Sequence, residues 1–149
     1  MSLSLGIDVG TSGVRTAILT AQGDVLPMAR TEHLPQKSDN IDADGWWSVV
    51  KTCISRQIEK MQAEGFSPSD ITGIAVDGTS GTMVLTDENL RPVTRALMYN
   101  SSGFDAEAAL IARFAPDPHI TRGSSSALAR AMRLAAEDVD HAARHLLSL

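Results

Sequence analysis

The chain has 149 residues, 43% hydrophobic and 21% charged, which is the balance of a globular domain with a core of ordinary size. With 13 basic and 18 acidic residues the net charge is −5 and no basic run occurs, which argues against nucleic acid as a partner but not against a nucleotide, whose charge a divalent cation and backbone N–H groups offset locally. One cysteine, Cys53, excludes an internal disulfide, no Cys/His cluster has zinc spacing, and no apolar run approaches the ~18 residues of a membrane span.

The N-terminal MSLSLG has neither a basic n-region nor a long apolar run, so no signal peptide is expected and the cytoplasm is the expected location. Leu3, Leu5, Ile7 and Val9 alternate with Ser4, Gly6 and Asp8, the period of a strand with one buried face. Gly10-Thr11-Ser12-Gly13 then turns the chain into a second apolar run, Val14 to Leu19, which predicts a β-hairpin. Gln22-Gly23-Asp24 is a turn, and Val25 to Leu34 reads as a third antiparallel strand. Pro35 to Asn40 is polar loop. Asp42 or Asp44 can cap a helix whose apolar stripe is Trp46, Val49, Val50, Cys53, Ile54, Ile58 and Met61, with Gly65 as its stop. The two tryptophans and Cys53 read as packing. Phe66 to Asp70 is loop, Ile71 to Val76 a strand, Asp77-Gly78-Thr79-Ser80-Gly81 a turn, and Thr82 to Thr86 and Val93 to Met98 further strands around the turn at Asp87. Helices are predicted over Ala106 to Phe114, from a serine cap at 124–126 to about Ala136, and over Glu137 to Leu147.

The first turn carries the chemistry. Glycines let the backbone approach an anion and aim several N–H groups at it, and Thr11 and Ser12 add hydroxyl donors. Asp8 repels phosphate but can hold Mg²⁺ through water, and the metal then bridges to the phosphates. A plain hairpin turn with a solvated Asp fits the same residues. The segment from Gly73 to Gly81 nearly repeats the one from Gly6 to Gly13. If the two strands run parallel in one sheet, both hydroxyl-rich turns leave the same edge, where open α/β sheets bind ligands. The bland alternative for the second turn is Asp77 capping local backbone groups. There is no G-x-x-x-x-G-K-[ST], no G-x-S-x-G, and Gly10-x-x-Gly13 leads into a strand, so neither a P-loop nor a Rossmann fingerprint is present. His141 and His145 are four apart on the last predicted helix, a metal-compatible spacing without further ligands nearby.

Asp8-Val9-Gly10-Thr11-Ser12 between two strands resembles the first phosphate motif of the actin-like ATPase and sugar kinase superfamily. More narrowly, the chain resembles the FGGY carbohydrate kinases. Asp44-Gly45-Trp46-Trp47 is similar to their acidic-x-Trp-Trp helix start, Gly73 to Met83 to their sugar-site strand and turn as found in ribulokinases, and Arg144 to Ser148 to a segment before a later strand of the first domain. The likeness covers essentially the whole chain in order. Asn100 is followed by Ser101-Ser102-Gly103, whereas many xylulokinases continue with Asn-Asp-x-Arg. Met98-Tyr99-Asn100 and Gly123-Ser124-Ser125-Ser126 look closer to the D-ribulokinase-like branch.

The resemblance implies an α/β fold of the ribonuclease H-like (actin-like ATPase) class, a mixed sheet with an antiparallel hairpin followed by helices. It implies that residues 1–149 are the N-terminal portion of a first domain whose remainder, with a second domain, lies outside this sequence. It implies ATP-dependent phosphorylation of a ketopentose such as D-ribulose or xylulose, with ATP and Mg²⁺ as cofactors, the sugar as small-molecule partner, and room for a homodimer. Asp8 would hold the metal through water. Gly10, Thr11, Ser12 and Gly13 would bind phosphate, and Asp77, Thr79, Ser80 and Gly81 the sugar. The family's general base is a later Asp, so no carboxylate here is given that role. The alternative is a non-catalytic nucleotide- or sugar-binding regulatory module.

Overall fold

Alternation of apolar with small or polar residues makes β1 (Leu3–Val9) and β2 (Gly13–Thr20) the hairpin the sequence predicts, in a computed structural model that describes residues 2–34 and 41–148. The expected loop at 35–40 lies outside the described residues. The described residues fold as two compact units, 2–34 with 44–79, and 41–43 with 80–148.

The first unit is a four-stranded mixed sheet in the order β3-β2-β1-β4, with β3 at Ala29–Glu32 and β4 at Ile71–Gly78. β1 pairs antiparallel with β2 and parallel with β4. The third strand is shorter than the sequence suggests. Pro27 has no N–H for the ladder, so Val25 makes only an isolated bridge to Leu19 before pairing resumes at Ala29. Helix α1 (Ala43–Ala63) follows Asp42, carries Asp44 in its first turn, where an anion suits the helix dipole, and stops before Gly65 at φ +85°.

One face of the sheet packs on α1. Leu3, Leu5, Ile7 and Val9 of β1, Val14 and Ile18 of β2 and Ala29 of β3 form a single buried cluster with Val49, Val50, Cys53 and Met61. Each of the valine, leucine, isoleucine and methionine side chains contributes about 1.5–3 kcal/mol by leaving water. Cys53 is buried and donates to the Val14 carbonyl, in keeping with a small core residue. The tryptophans differ from the expectation. Consecutive helical residues point ~100° apart, so Trp46 is half-buried beside the His33 ring while Trp47 is 57% exposed under Lys51. The apolar stripe also contains a polar residue that periodicity passes over. Gln57 is fully buried, accepts from Thr16 and from the Ala29 N–H, and donates to the Pro27 carbonyl.

The second unit holds β5 (Met83–Thr86) and β6 (His145–Ser148) as an antiparallel pair, with α2 (Asp105–Ile111) and α3 (Ala127–Glu137). Ser126 caps α3 by accepting from the Ala129 N–H, as the serine run suggests. Arg133 on α3 binds both carboxylate oxygens of Glu107 on α2, and that hydrogen-bonded cation holds the Glu107 carboxyl below its ordinary value.

Two expectations fail here. The helix predicted over Glu137 to Leu147 is absent. α3 ends at Glu137, both Asp138 carboxylate oxygens accept N–H groups of Ala142 and Ala143, and His145 to Ser148 pair with β5. The strand predicted over Val93 to Met98 is reduced to isolated bridges at Pro92, Ala96 and Leu97. Pro92 cannot donate, and the Thr94 hydroxyl, rather than a backbone carbonyl, accepts from the Leu85 N–H. No helix among the described residues is long and apolar enough to cross a membrane.

Candidate functional site

The Gly10–Gly13 turn is held from two sides. Gly10 N–H donates to the Gly13 carbonyl at 3.0 Å, closing the hairpin. Gly13 lies so close to β3 that an added Cβ would collide with the Thr31 carbonyl oxygen and sit 2.8 Å from Glu32 Cα, so this glycine has a packing reason apart from any ligand. His33, just beyond β3, donates its backbone N–H to Ser12 O at 3.1 Å, and its Nε2 lies 2.9 Å from Gly10 O. A carbonyl only accepts, so the proton must be on Nε2, and Nδ1 is buried without a partner among the described residues. Across a trans peptide the C=O and the following N–H point opposite ways. Pinning the Gly10 carbonyl on His33 therefore turns the Thr11 N–H away from His33.

Asp8 is less buried than its strand suggests. Its side chain is 46% exposed, and Arg15, directly opposite on β2, donates to Oδ2 at 2.9 Å. Such an exposed pair contributes about 0–1 kcal/mol. The second turn stands beside the first. β4 runs parallel to β1 with Asp77 in register with Asp8, so both strands end at the same edge. Thr79 N–H donates to the Val9 carbonyl at 3.2 Å, and the Thr11 and Thr79 hydroxyls are 3.3 Å apart. Asp77 also accepts from the Gly78 N–H at 2.8 Å, the local capping that a plain turn would show. The structure thus brings Asp8, Thr11, Asp77 and Thr79 together within the first unit.

Ser80 and Gly81 belong to the second unit, where Gly81 takes φ +80°, a conformation that costs glycine little. His141 and His145 do not share a helix face. His141 lies in a turn at φ +51° and His145 begins β6. No group of three or more His, Cys, Asp or Glu among the described residues could cage a metal. A hydrated Mg²⁺ needs only one or two carboxylates besides substrate oxygens. The half-exposed Asp8, with one oxygen taken by Arg15 and Asp77 on the next strand, fits that need. Sequence reasoning missed Arg15, though the two-residue hairpin turn sets it opposite Asp8. It also missed His33, for which no local pattern speaks.

Residues 3–116 match the family model described as the FGGY family of carbohydrate kinases, N-terminal domain. Over 126 residues the chain is 27% identical to the xylulose kinase of Escherichia coli, covering 80% of this chain and 25% of that protein. Over 107 residues it is 28% identical to a ribulokinase of Staphylococcus aureus, covering 62% and 19%. The chain therefore spans about a quarter or less of the length of the curated relatives it matches. The crystal structure of a xylulose kinase from Brucella ovis superposes with a TM-score of 0.79 at 22% identity, covering 98% of this chain and 32% of that one. This likeness bears out the expected α/β, ribonuclease H-like (actin-like ATPase) fold with its mixed sheet. On the match over residues 3–116, the chain belongs to the FGGY family of carbohydrate kinases, in its N-terminal domain.

Proposed function

We propose that the complete protein transfers a phosphoryl group from ATP to a ketopentose, with this chain supplying the phosphate turn and part of the sugar site. Family membership and relatives named xylulose kinase and ribulokinase support the reaction class. The observation that carries the site is the parallel register of β1 and β4, which puts two hydroxyl-bearing turns side by side at one sheet edge.

Phosphoryl transfer depends mainly on positioning and on neutralising charge. In this reading the Thr11 and Ser12 hydroxyls and the N–H groups of Thr11, Ser12 and Gly13 donate to phosphate oxygens, while the Gly10 N–H closes the turn on the Gly13 carbonyl. His33, holding the Gly10 carbonyl, keeps the Thr11 N–H from turning toward it. Asp8 would hold Mg²⁺ through water, with Asp77 in register on the next strand. When bound, the cation neutralises charge on the transferring phosphate. Thr79, Ser80 and Gly81 contact the sugar, with Asp77 at the margin. Asp8 is assigned to the metal and not to proton acceptance, one of its oxygens being occupied by Arg15.

The test is a panel of pentuloses, hexuloses and polyols offered with MgATP to the complete protein while ADP release is followed. A ketopentose should give the highest kcat/KM. Sugar or nucleotide binding without turnover on any member would instead support the non-catalytic module.

A further inference from the structure

Arg130 is 4% exposed, and no carboxylate pairs with it among the described residues. A buried cation without a counter-ion is costly, and burial pushes this guanidinium below its ordinary value. Its partners are backbone. Nη1 donates to the carbonyls of Tyr99, at 2.7 Å, and Ser125. Nη2 lies 3.1 Å from where a Cβ on Gly81 would stand, and Nε has no partner among the described residues. One side chain from the first turns of α3 thus reaches three separate segments of the second unit: the turn at Gly81, the loop that begins at Tyr99, and the serine run before α3. Gly81 meets two demands at once, a positive φ and room for the guanidinium.

We propose that Arg130 is a positioning residue for the sugar acceptor, fixing the Gly81 end of the second turn against the 99–103 loop and the 124–126 run. The proposal rests on the reading of Ser80 and Gly81 as sugar contacts. A methionine of similar length leaves the Tyr99 and Ser125 carbonyls without their donor, so the Gly81 end of the turn loses its tie to both segments.

The experiment compares Arg130→Met and Arg130→Lys with wild type in the complete protein, varying sugar and ATP separately. Arg130→Met should raise the sugar KM about tenfold or more while the ATP KM stays within about twofold, and Arg130→Lys, which keeps a donor, should recover part of the loss. A sugar KM within about twofold of wild type, or equal rises in both KM values, overturns the assignment. If Arg130→Met does not fold, the lysine variant decides by the same split. Failure of wild type to phosphorylate any sugar or polyol of the panel would end the kinase reading instead. Amide exchange then decides for Arg130: faster exchange over 79–86 in Arg130→Lys, with 3–20 unchanged, supports it, and equal rates overturn it.

Discussion

Replacing Asp8 by alanine in the complete protein should lower kcat by well over tenfold, a loss above ~1.4 kcal/mol of transition-state stabilisation, with little change in stability. The two effects separate because Asp8 stands half-exposed at a strand end. Its only described ion pair is with an equally exposed Arg15, so removing it costs folding at most ~1 kcal/mol. As the proposed anchor of the hydrated metal, it is needed in the step where charge develops on the transferring phosphate. Steady-state kinetics at saturating MgATP, with a thermal melt of the same sample, measure both. A kcat within about tenfold of wild type would remove Asp8 from the metal site.

Gln57→Ala should behave in the opposite way, losing stability by about 3 kcal/mol or more while folded protein keeps its kcat. Gln57 is fully buried and satisfies three groups at once, the Thr16 hydroxyl, the Ala29 N–H and the Pro27 carbonyl. Truncation leaves the buried Ala29 N–H without its acceptor and the Thr16 hydroxyl with only the Cys53 thiol, at ~1–3 kcal/mol for an unsatisfied buried group, and opens a cavity under α1. These bonds also join the helix to the Pro27–Ala29 stretch where the β2–β3 ladder is interrupted. Urea unfolding measures the change, and a loss below ~1 kcal/mol would show that the site relaxes or hydrates.

These residues also show how far the sequence can be read. The hairpin and α1 are legible because their periods, two and 3.6, are local and unambiguous. The parallel placement of β1 and β4 is legible only as a condition, since nothing local fixes which strands pair. His145 to Ser148 cannot be read as a strand, because alanine, arginine and leucine nearby favour helix and the deciding partner is β5, some sixty residues earlier. Val93 to Met98 fails for the converse reason. Its composition suits a strand, but Pro92 and the Thr94 hydroxyl disrupt the ladder. At the candidate site the backbone donors and hydroxyls are visible as Gly10 to Gly13 and Asp77 to Gly81. The side chain that holds the first turn, His33, comes from beyond β3 and carries no motif.

The central claim is that the two strand-end turns serve one phosphoryl transfer. A double-mutant cycle on kcat/KM tests it most directly, using Thr11→Val, Thr79→Val and both together, since these hydroxyls stand 3.3 Å apart. The predicted result is lower kcat/KM in each single variant and a coupling of at least ~0.5 kcal/mol between them. Additivity within ~0.3 kcal/mol, or single variants as active as wild type, would contradict it.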